Sequence, residues 1–279
     1  MKNFFVIIIF AFLVSPTIAQ DETDQATVRC YYHFFQKEKA GDKNITFRDT
    51  LTLDIGSQMS RYYDERKIQR DTDFSAIVAD YNPNTIKSIT VLQNVNPDLF
   101  DYSLGDTYRN NTFDGVSEQI FKDRKNGNII MLNTVGFERY KGTDPVGTLN
   151  WNIESDTAVF LDYPCQKASL QFRGRNYEAW FAPQIPINEG PWKFFGLPGL
   201  ILKVKDADGM FDIECIGLEN LDTPYTIEIP KGKYVECNRK DYNKVVNKKD
   251  NSQMINNNAG NITIASVSVG PSFQAMELE

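Results

Sequence analysis

The feature that most constrains this chain is a recurrence. From Ala26 to about Ile229, short runs rich in Val, Ile, Thr, Tyr and Phe alternate with clusters of Gly, Asn, Asp and Pro. β-Branched and aromatic residues suit a pleated, half-buried surface, whereas Gly, Asn, Asp and Pro supply the dihedral angles of tight turns. Short runs punctuated this way fold as an antiparallel meander. Helical periodicity is scarce, and only Thr72 to Tyr81, capped by Thr72 or Asp73, reads as two helical turns. The expected fold is mainly β, a single domain built on a large curved antiparallel sheet or incomplete barrel, with little helix. At 279 residues the chain lies in the upper range of one domain and is long enough to bury a core.

Three hairpins can be placed by register. Asp208-Gly209 is a two-residue turn that sets Lys205 opposite Asp212, Lys203 opposite Glu214, Val204 opposite Ile213 and Leu202 opposite Cys215. One face is then apolar and the other charged. In the second hairpin, Ala168 to Phe181, a type II′ turn at Gly174-Arg175 sets Phe172 opposite Tyr177, Leu170 opposite Ala179 and Ala168 opposite Phe181. Trp180 falls on the polar face with Gln171 and Glu178, so another layer, a loop or the Pro-rich segment that follows is expected to cover it. Asn126-Gly127 marks the third hairpin, between Ile120-Phe121 and Ile129 to Leu132.

The first residues read as a secretory leader. Lys2 precedes an apolar run from Phe4 to Val14, which ends at Ser15-Pro16. Thr17 and Ala19 then place cleavage before Gln20, or as second choice before Asp21. The run is shorter than the roughly 20 apolar residues of a membrane-spanning helix, and no later segment is long and apolar enough to serve as one. No Cys follows it until Cys30, so no lipid acceptor is in place. The expectation is an exported protein, periplasmic or outer-membrane-associated and not lipid-anchored. Its parts are a leader (1–19), a β domain (20–242) and a polar, poorly ordered tail (243–279) in which Ile262 to Val269 is a candidate edge strand. With 30 basic and 37 acidic residues the formal net charge is −7, which gives nucleic acid no general attraction.

The chemistry-bearing residues are few. Cys30, Cys165, Cys215 and Cys237 are disulfide candidates in an oxidising compartment, with three complete pairings open and no Cys-x-x-Cys motif. His33 is the single histidine, which excludes a multi-His zinc site. Strand alternation groups it with Tyr31 and Phe35, opposite Cys30, Tyr32 and Phe34, an ordinary strand position. Asp206-Ala207-Asp208-Gly209 resembles the opening of a calcium loop but lacks the Glu that closes one, and turn chemistry accounts for it. Arg173 and Arg175 flank a turn, where they are either an anion-binding pair or a solvated hairpin tip. No spacing singles out two carboxylates for hydrolytic work. No catalytic residue, metal ligand or cofactor is therefore assigned, and the balance leans against an enzyme.

The densest stretch runs Trp180-Phe181-Ala182-Pro183-Gln184-Ile185-Pro186, then Gly190-Pro191-Trp192-Lys193-Phe194-Phe195, then Gly196-Leu197-Pro198-Gly199-Leu200-Ile201. Leu197-Pro198-Gly199-Leu200 suits a type II turn, with Pro at the negative-φ position and Gly at the positive one. The aromatic residues around it form a rigid corner. This segment carries the signature hexapeptide of the GLPGLI family, exported proteins of Bacteroidetes-type bacteria. Cys165 to Ala168, Phe172 to Arg175, Ala179 to Phe181, Leu51 to Gly56 and Ser60 to Tyr63 resemble the family's pattern in order, so the likeness spans roughly Val28 to Asn220. It implies an envelope protein of a kind often encoded beside outer-membrane transport components, and it carries over no catalytic residue. The expected role is a non-catalytic binding or assembly module. Its partner would be an envelope protein, such as an outer-membrane transport component, or an apolar ligand, held on the concave or Trp180-bearing face by Trp180, Trp192, Phe194, Arg173 and Arg175. The alternatives are a carboxylate-dependent hydrolase of envelope peptide or glycan, and a purely structural envelope component.

Overall fold

The computed structural model describes residues 23–40, 43–69, 72, 116, 118–135, 138–145, 147–246, 254–256, 263–265 and 276–278. The leader and the helix expected from Thr72 to Tyr81 lie outside these residues, apart from Thr72 itself.

The strands are β1 (Thr23–Ala40), β2 (Lys43–Ile55), β3 (Met59–Tyr63), β4 (Gln119–Asp123), β5 (Asn128–Val135), β6 (Glu138–Pro145), β7 (Asn152–Phe160), β8 (Tyr163–Phe172), β9 (Arg175–Ala182), β10 (Leu200–Asp206), β11 (Phe211–Glu228), β12 (Val235–Asn238), β13 (Met254–Asn256) and β14 (Thr263–Ala265). The first twelve make one sheet in the order β12-β6-β5-β4-β3-β2-β1-β11-β10-β9-β8-β7. Two antiparallel meanders, β1 to β6 and β7 to β11, are thus stitched together by the β1–β11 ladder, and β12 returns parallel to β6. A sheet this wide curls through its own twist. Its far sides meet where Arg173, in the β8–β9 turn, pairs with Asp144 of β6 at 2.9 Å, yet among the described residues β12 and β7 remain the edges of the sheet. The result is the curved, incomplete barrel expected from the alternation.

Period-two burial builds the inner face. Cys30, Tyr32 and Phe34 of β1, Leu51, Leu53 and Ile55 of β2, and Leu170 and Phe172 of β8 all join one core. His33 points the other way, exposed, with its ring edge-on to Phe35 at 6.0 Å. On the outer side, Ala26 and Ile227 lie beyond a register shift in the β1–β11 ladder and share a second cluster with Met59, Phe121, Ile130 and Leu132.

The Asp208-Gly209 hairpin has the expected register: Lys205 faces Asp212, Lys203 faces Glu214 and Val204 faces Ile213. The Leu202–Cys215 pair is not made: the β10–β11 ladder ends at Lys203–Glu214, where β10 also has a register shift against β9 between Ile201 and Lys203. The second hairpin corrects the expectation. Its turn is Arg173-Gly174, with φ of 50° and 79°, so Phe172 faces Arg175, Leu170 faces Tyr177 and Ala168 faces Ala179. Both central residues have positive φ, the mark of a type I′ turn. The unfavourable left-handed conformation of Arg173 is held by its guanidinium, which reaches Asp144 and lies over the Phe172 ring. Asn126-Gly127 does close a hairpin, within a four-residue loop from Arg124 to Gly127 whose flanks Asp123 and Asn128 are opposed.

The disulfide expectation is also corrected, since all four cysteines are free. Cys30 faces Leu218 on β11 and Leu53 on β2, so the nearby Cys215 is only its diagonal neighbour. The two thiols hydrogen-bond each other and remain free. At the other end, the helix α1 (Arg239–Val246) runs past the boundary expected at residue 242 and buries Tyr242 against Gly142. β14, inside the segment Ile262 to Val269, pairs with β13 in a separate two-stranded sheet and not with an edge of the large one. Residues 276–278 return to the barrel, with Glu277 buried.

Candidate functional site

The concave side is filled by the chain's own residues 183–199. Leaving β9, this segment turns inward and returns as β10, with Leu200 N donating to Ile185 O at 3.0 Å and Ile201 N to Glu189 O at 2.9 Å. The expected type II turn is replaced by a tighter one. Gly199 N donates to Leu197 O at 2.8 Å, a three-residue turn centred on Pro198. Trp192 has φ of 53° and is held in that conformation by packing, its ring lying 5.1 Å from Phe194 and 6.0 Å from Phe172. Tyr177 meets Phe194 edge-on at 4.8 Å. Lys122 of β4 enters this plug, donating to the carbonyls of Gly190 and Phe194 and pairing with Glu189 at 2.6 Å, while Arg124 also pairs with Glu189. Burial pulls the Lys122 amine below the usual lysine range, against the opposing pull of Glu189.

The five candidate binding residues therefore do not form one surface. Trp192 and Phe194 are core. Arg175 is buried, 3.2 Å from Asp206 and over the Phe211 ring, and Arg173 is bound to Asp144. Asp206 also accepts from Phe211 N, so the Asp206–Gly209 stretch is occupied by turn chemistry. Among the described residues, no group of three or more His, Cys, Asp or Glu is placed to hold a metal. A recess lined by Gln119, Leu132, Asn133, Thr134, Arg139 and Tyr234 offers about 30 Å³, room for a water.

Trp180 alone of the five faces outward, half-buried between Lys167 and Lys203. Among the described residues its ring contact is with Phe160 of β7, 5.9 Å away. Around it runs a charged band in which Lys167 joins Glu154 and Glu178 and Lys205 joins Glu178. β7 is the outermost strand beside this band. Among the described residues it pairs only with β8 and is exposed over most of its length, with Ile153 at 47% and Val159 at 66%. Its ladder is interrupted between Ile153 and Thr157. Bulges and acidic side chains are the usual protection of a free edge, but two exposed aliphatic residues are not. No local signal in the sequence marks β7 as an edge, because edge status depends on strand order.

One carboxylate pair does emerge. Asp64 is fully buried, with Oδ1 accepting from Lys67 N at 2.8 Å, which caps a helical stretch at 65–69, and Oδ2 accepting from Val116 N at 3.1 Å. Asp49 shares a hydrogen bond with it. Burial first, and then the Asp64 carboxylate, push the Asp49 carboxyl up to about 6, against the Thr50 amide and Arg66. Both oxygens of Asp64 are engaged with the backbone, so the pair reads as a proton-sharing clasp. The folded chain therefore holds a proton at Asp49 up to about pH 6, whereas the ordinary value is 3.8, and stability falls as pH rises through that window. Asp49→Asn is expected to flatten that slope and to raise stability at neutral pH by about 1–2 kcal/mol, after discounting for partial exposure. Urea midpoints of both proteins at about pH 4 and about pH 7 test this, and a parallel fall in the two would contradict it.

A protein-family profile described as "Protein of unknown function (Porph_ging)" matches residues 173–203, a stretch that contains the β8–β9 turn and the whole plug. No curated protein sequence matches the chain. Among solved structures, the chain is similar to one reported as "Structure of PNGF-II in P21 space group", with a TM-score of 0.50 at 14% identity over 80% of this chain. A second, "Structure of PNGF-II in C2 space group", gives 0.49 at 14% identity over 79%. The chain spans about a third of the length of either, 33% in both cases, and at this identity the likeness concerns the fold alone.

Proposed function

We propose that this chain is an exported, non-catalytic binding or assembly module of the GLPGLI type. In this reading residues 1–19 are its leader, and an extended segment of an envelope protein adds to β7 as a further strand. The observation that carries the proposal is the nine-residue edge of β7, unpaired among the described residues, with its exposed Ile153 and Val159, beside the Phe160–Trp180 contact. Strand addition supplies affinity through backbone hydrogen bonds and specificity through alternate side chains. β7 carries Glu154 and Asp156, with Asp162 just beyond, and no basic residue. The matching partner strand therefore alternates Lys or Arg with aliphatic residues. The family profile over residues 173–203 supports the GLPGLI assignment because that stretch contains the hexapeptide. An apolar ligand on the concave side is disfavoured, since Trp192, Phe194 and Leu197 already occupy it. For the hydrolase alternative, the Asp49–Asp64 pair among the described residues has the geometry of a clasp, since both oxygens of Asp64 accept from backbone amides.

The test is a labelled peptide of alternating Lys and Val, added to the full chain and read by anisotropy and by amide hydrogen exchange. Binding with slowed exchange across residues 152–160 is expected. Val159→Ser should weaken binding about tenfold through lost apolar contact, and Asp156→Lys should do so through repulsion. A Glu–Val peptide should not bind. Equal binding of both peptides, or unchanged exchange in β7, would reject the edge as the site.

A further inference from the structure

Side chains far apart in the sequence converge on residues 276–278 of the chain itself. Lys193 of the plug, and Arg239 and Asn243 of α1, converge on one carboxylate, that of Glu277. Arg239 Nη1 donates at 3.1 Å, Asn243 Nδ2 donates at 2.8 Å, and Lys193 Nζ is in direct contact. Lys193 is 2% exposed and the Glu277 side chain 4%. The backbone around Glu277 is read as well: Tyr177 OH donates to Met276 O, and Leu278 N donates to Arg173 O at 2.9 Å. Leu278 itself is left 61% exposed. The anchoring is therefore one buried carboxylate plus main-chain bonds on either side of it, the pattern by which a groove recognises an extended peptide.

The surrounding charges explain why a carboxylate sits there. Arg239 also lies 3.8 Å from Asp144, which Arg173 engages from the other side at 2.9 Å. Glu118, half-buried, is bonded by Tyr242 OH at 2.8 Å, and desolvation pushes its carboxyl up despite Lys193. Burial also penalises the charge on Glu277, but Lys193 and the converging donors outweigh it and hold that carboxyl below the usual range. Among the described residues, Glu277 is the carboxylate on which Lys193 and Arg239 both converge, while Asp144 is approached by Arg239 and Arg173. Three donors from separate elements, Lys193, Arg239 and Asn243, thus meet at one carboxylate, shielded from water when residues 276–278 are seated.

We infer that this donor cluster is a docking site for an acidic, extended peptide segment in which an apolar residue precedes Glu. Residues 276–278 occupy it in cis, and a partner segment of the same chemistry takes it in exchange. The reading is independent of β7: it uses other residues and the opposite charge.

The probe is a labelled peptide of residues 274–279, Gln-Ala-Met-Glu-Leu-Glu, added to the full chain. Wild type should show little saturable binding, because a tethered segment competes at an effective concentration of about millimolar. Glu277→Ala should expose the site and bind the peptide at least about tenfold more tightly, and Glu277→Ala with Lys193→Met, or a peptide with Gln at the first Glu, should lose that gain. Failure of a folded Glu277→Ala chain to bind overturns the inference. If that variant does not fold, wild type decides: about millimolar peptide should speed hydrogen exchange at the Leu278 amide, and unchanged exchange overturns the inference.

Discussion

Replacing Gly199 with Ala is expected to abolish folding. A Cβ at this position would lie 2.3 Å from the carbonyl oxygen of Ala182 and 2.7 Å from its carbon, and φ is +159°. The obstacle is backbone, which cannot step aside as a flexible side chain does, and Ala182 is the residue paired with Leu200. Moving it would unseat β10 from β9 and the plug from the interior together. Strain and lost packing of that kind cost more than about 4 kcal/mol, against a total stability of about 5–15 kcal/mol for a domain. Gly209→Ala is the control: φ there is +67° but nothing lies within 4 Å of the new Cβ, so only the local left-handed cost of about 1 kcal/mol applies. Soluble yield and urea unfolding separate the two. A Gly199→Ala protein as stable as Gly209→Ala would show that the close approach to Ala182 is wrongly drawn.

Removing Glu189 comes next in size. Lys122 is 3% exposed and Glu189 1%, and the other groups bonded to Lys122 are neutral carbonyls. Glu189→Ala would leave a buried ammonium, and the charge of Arg124, without their counter-ion, a loss of about 3–5 kcal/mol. Replacing both partners, as in Lys122→Met with Glu189→Leu, is expected to recover most of it, because two charges no longer need desolvation. The sign of the pH effect discriminates further. Burial already lowers the Lys122 amine, and loss of Glu189 lowers it more, so the unfolded chain binds the extra proton and the variant regains stability as pH rises into the alkaline range. A deficit that stayed constant with pH would point to lost packing instead.

The β8–β9 hairpin shows how far local chemistry reaches. Inward residues were legible there, since Leu170, Phe172, Tyr177 and Ala179 all lie in the core. The register was not, because the turn depends on a non-Gly residue with positive φ. Arg173 holds that angle with the help of Asp144, 29 positions earlier in the chain, so the deciding contact is invisible in the turn's own sequence. The hexapeptide behaves the same way. Its Gly was recognisable as a constrained position, but the constraint is the carbonyl of Ala182 and not a type II turn. Trp192 and Phe194 look alike in sequence whether they bind a visitor or fill a core, and only their mutual packing with Tyr177 and Phe172 places them inside. The Lys193–Glu277 contact joins residues 84 apart, beyond any local pattern.

Period-two alternation and turn residues alone determined that this chain forms antiparallel strands with an apolar inner side and, at Asp208-Gly209, which residues face each other. Both follow from interactions between near neighbours along the chain, where side-chain direction and backbone dihedrals act directly. Strand order, the filling of the concave side by residues 183–199, the exposure of β7 and the gathering of Lys193, Arg239, Asn243 and Glu277 were decided by tertiary structure. Each of these depends on which distant surfaces meet when a wide, twisted sheet curls, and burial energy selects that only in the assembled fold.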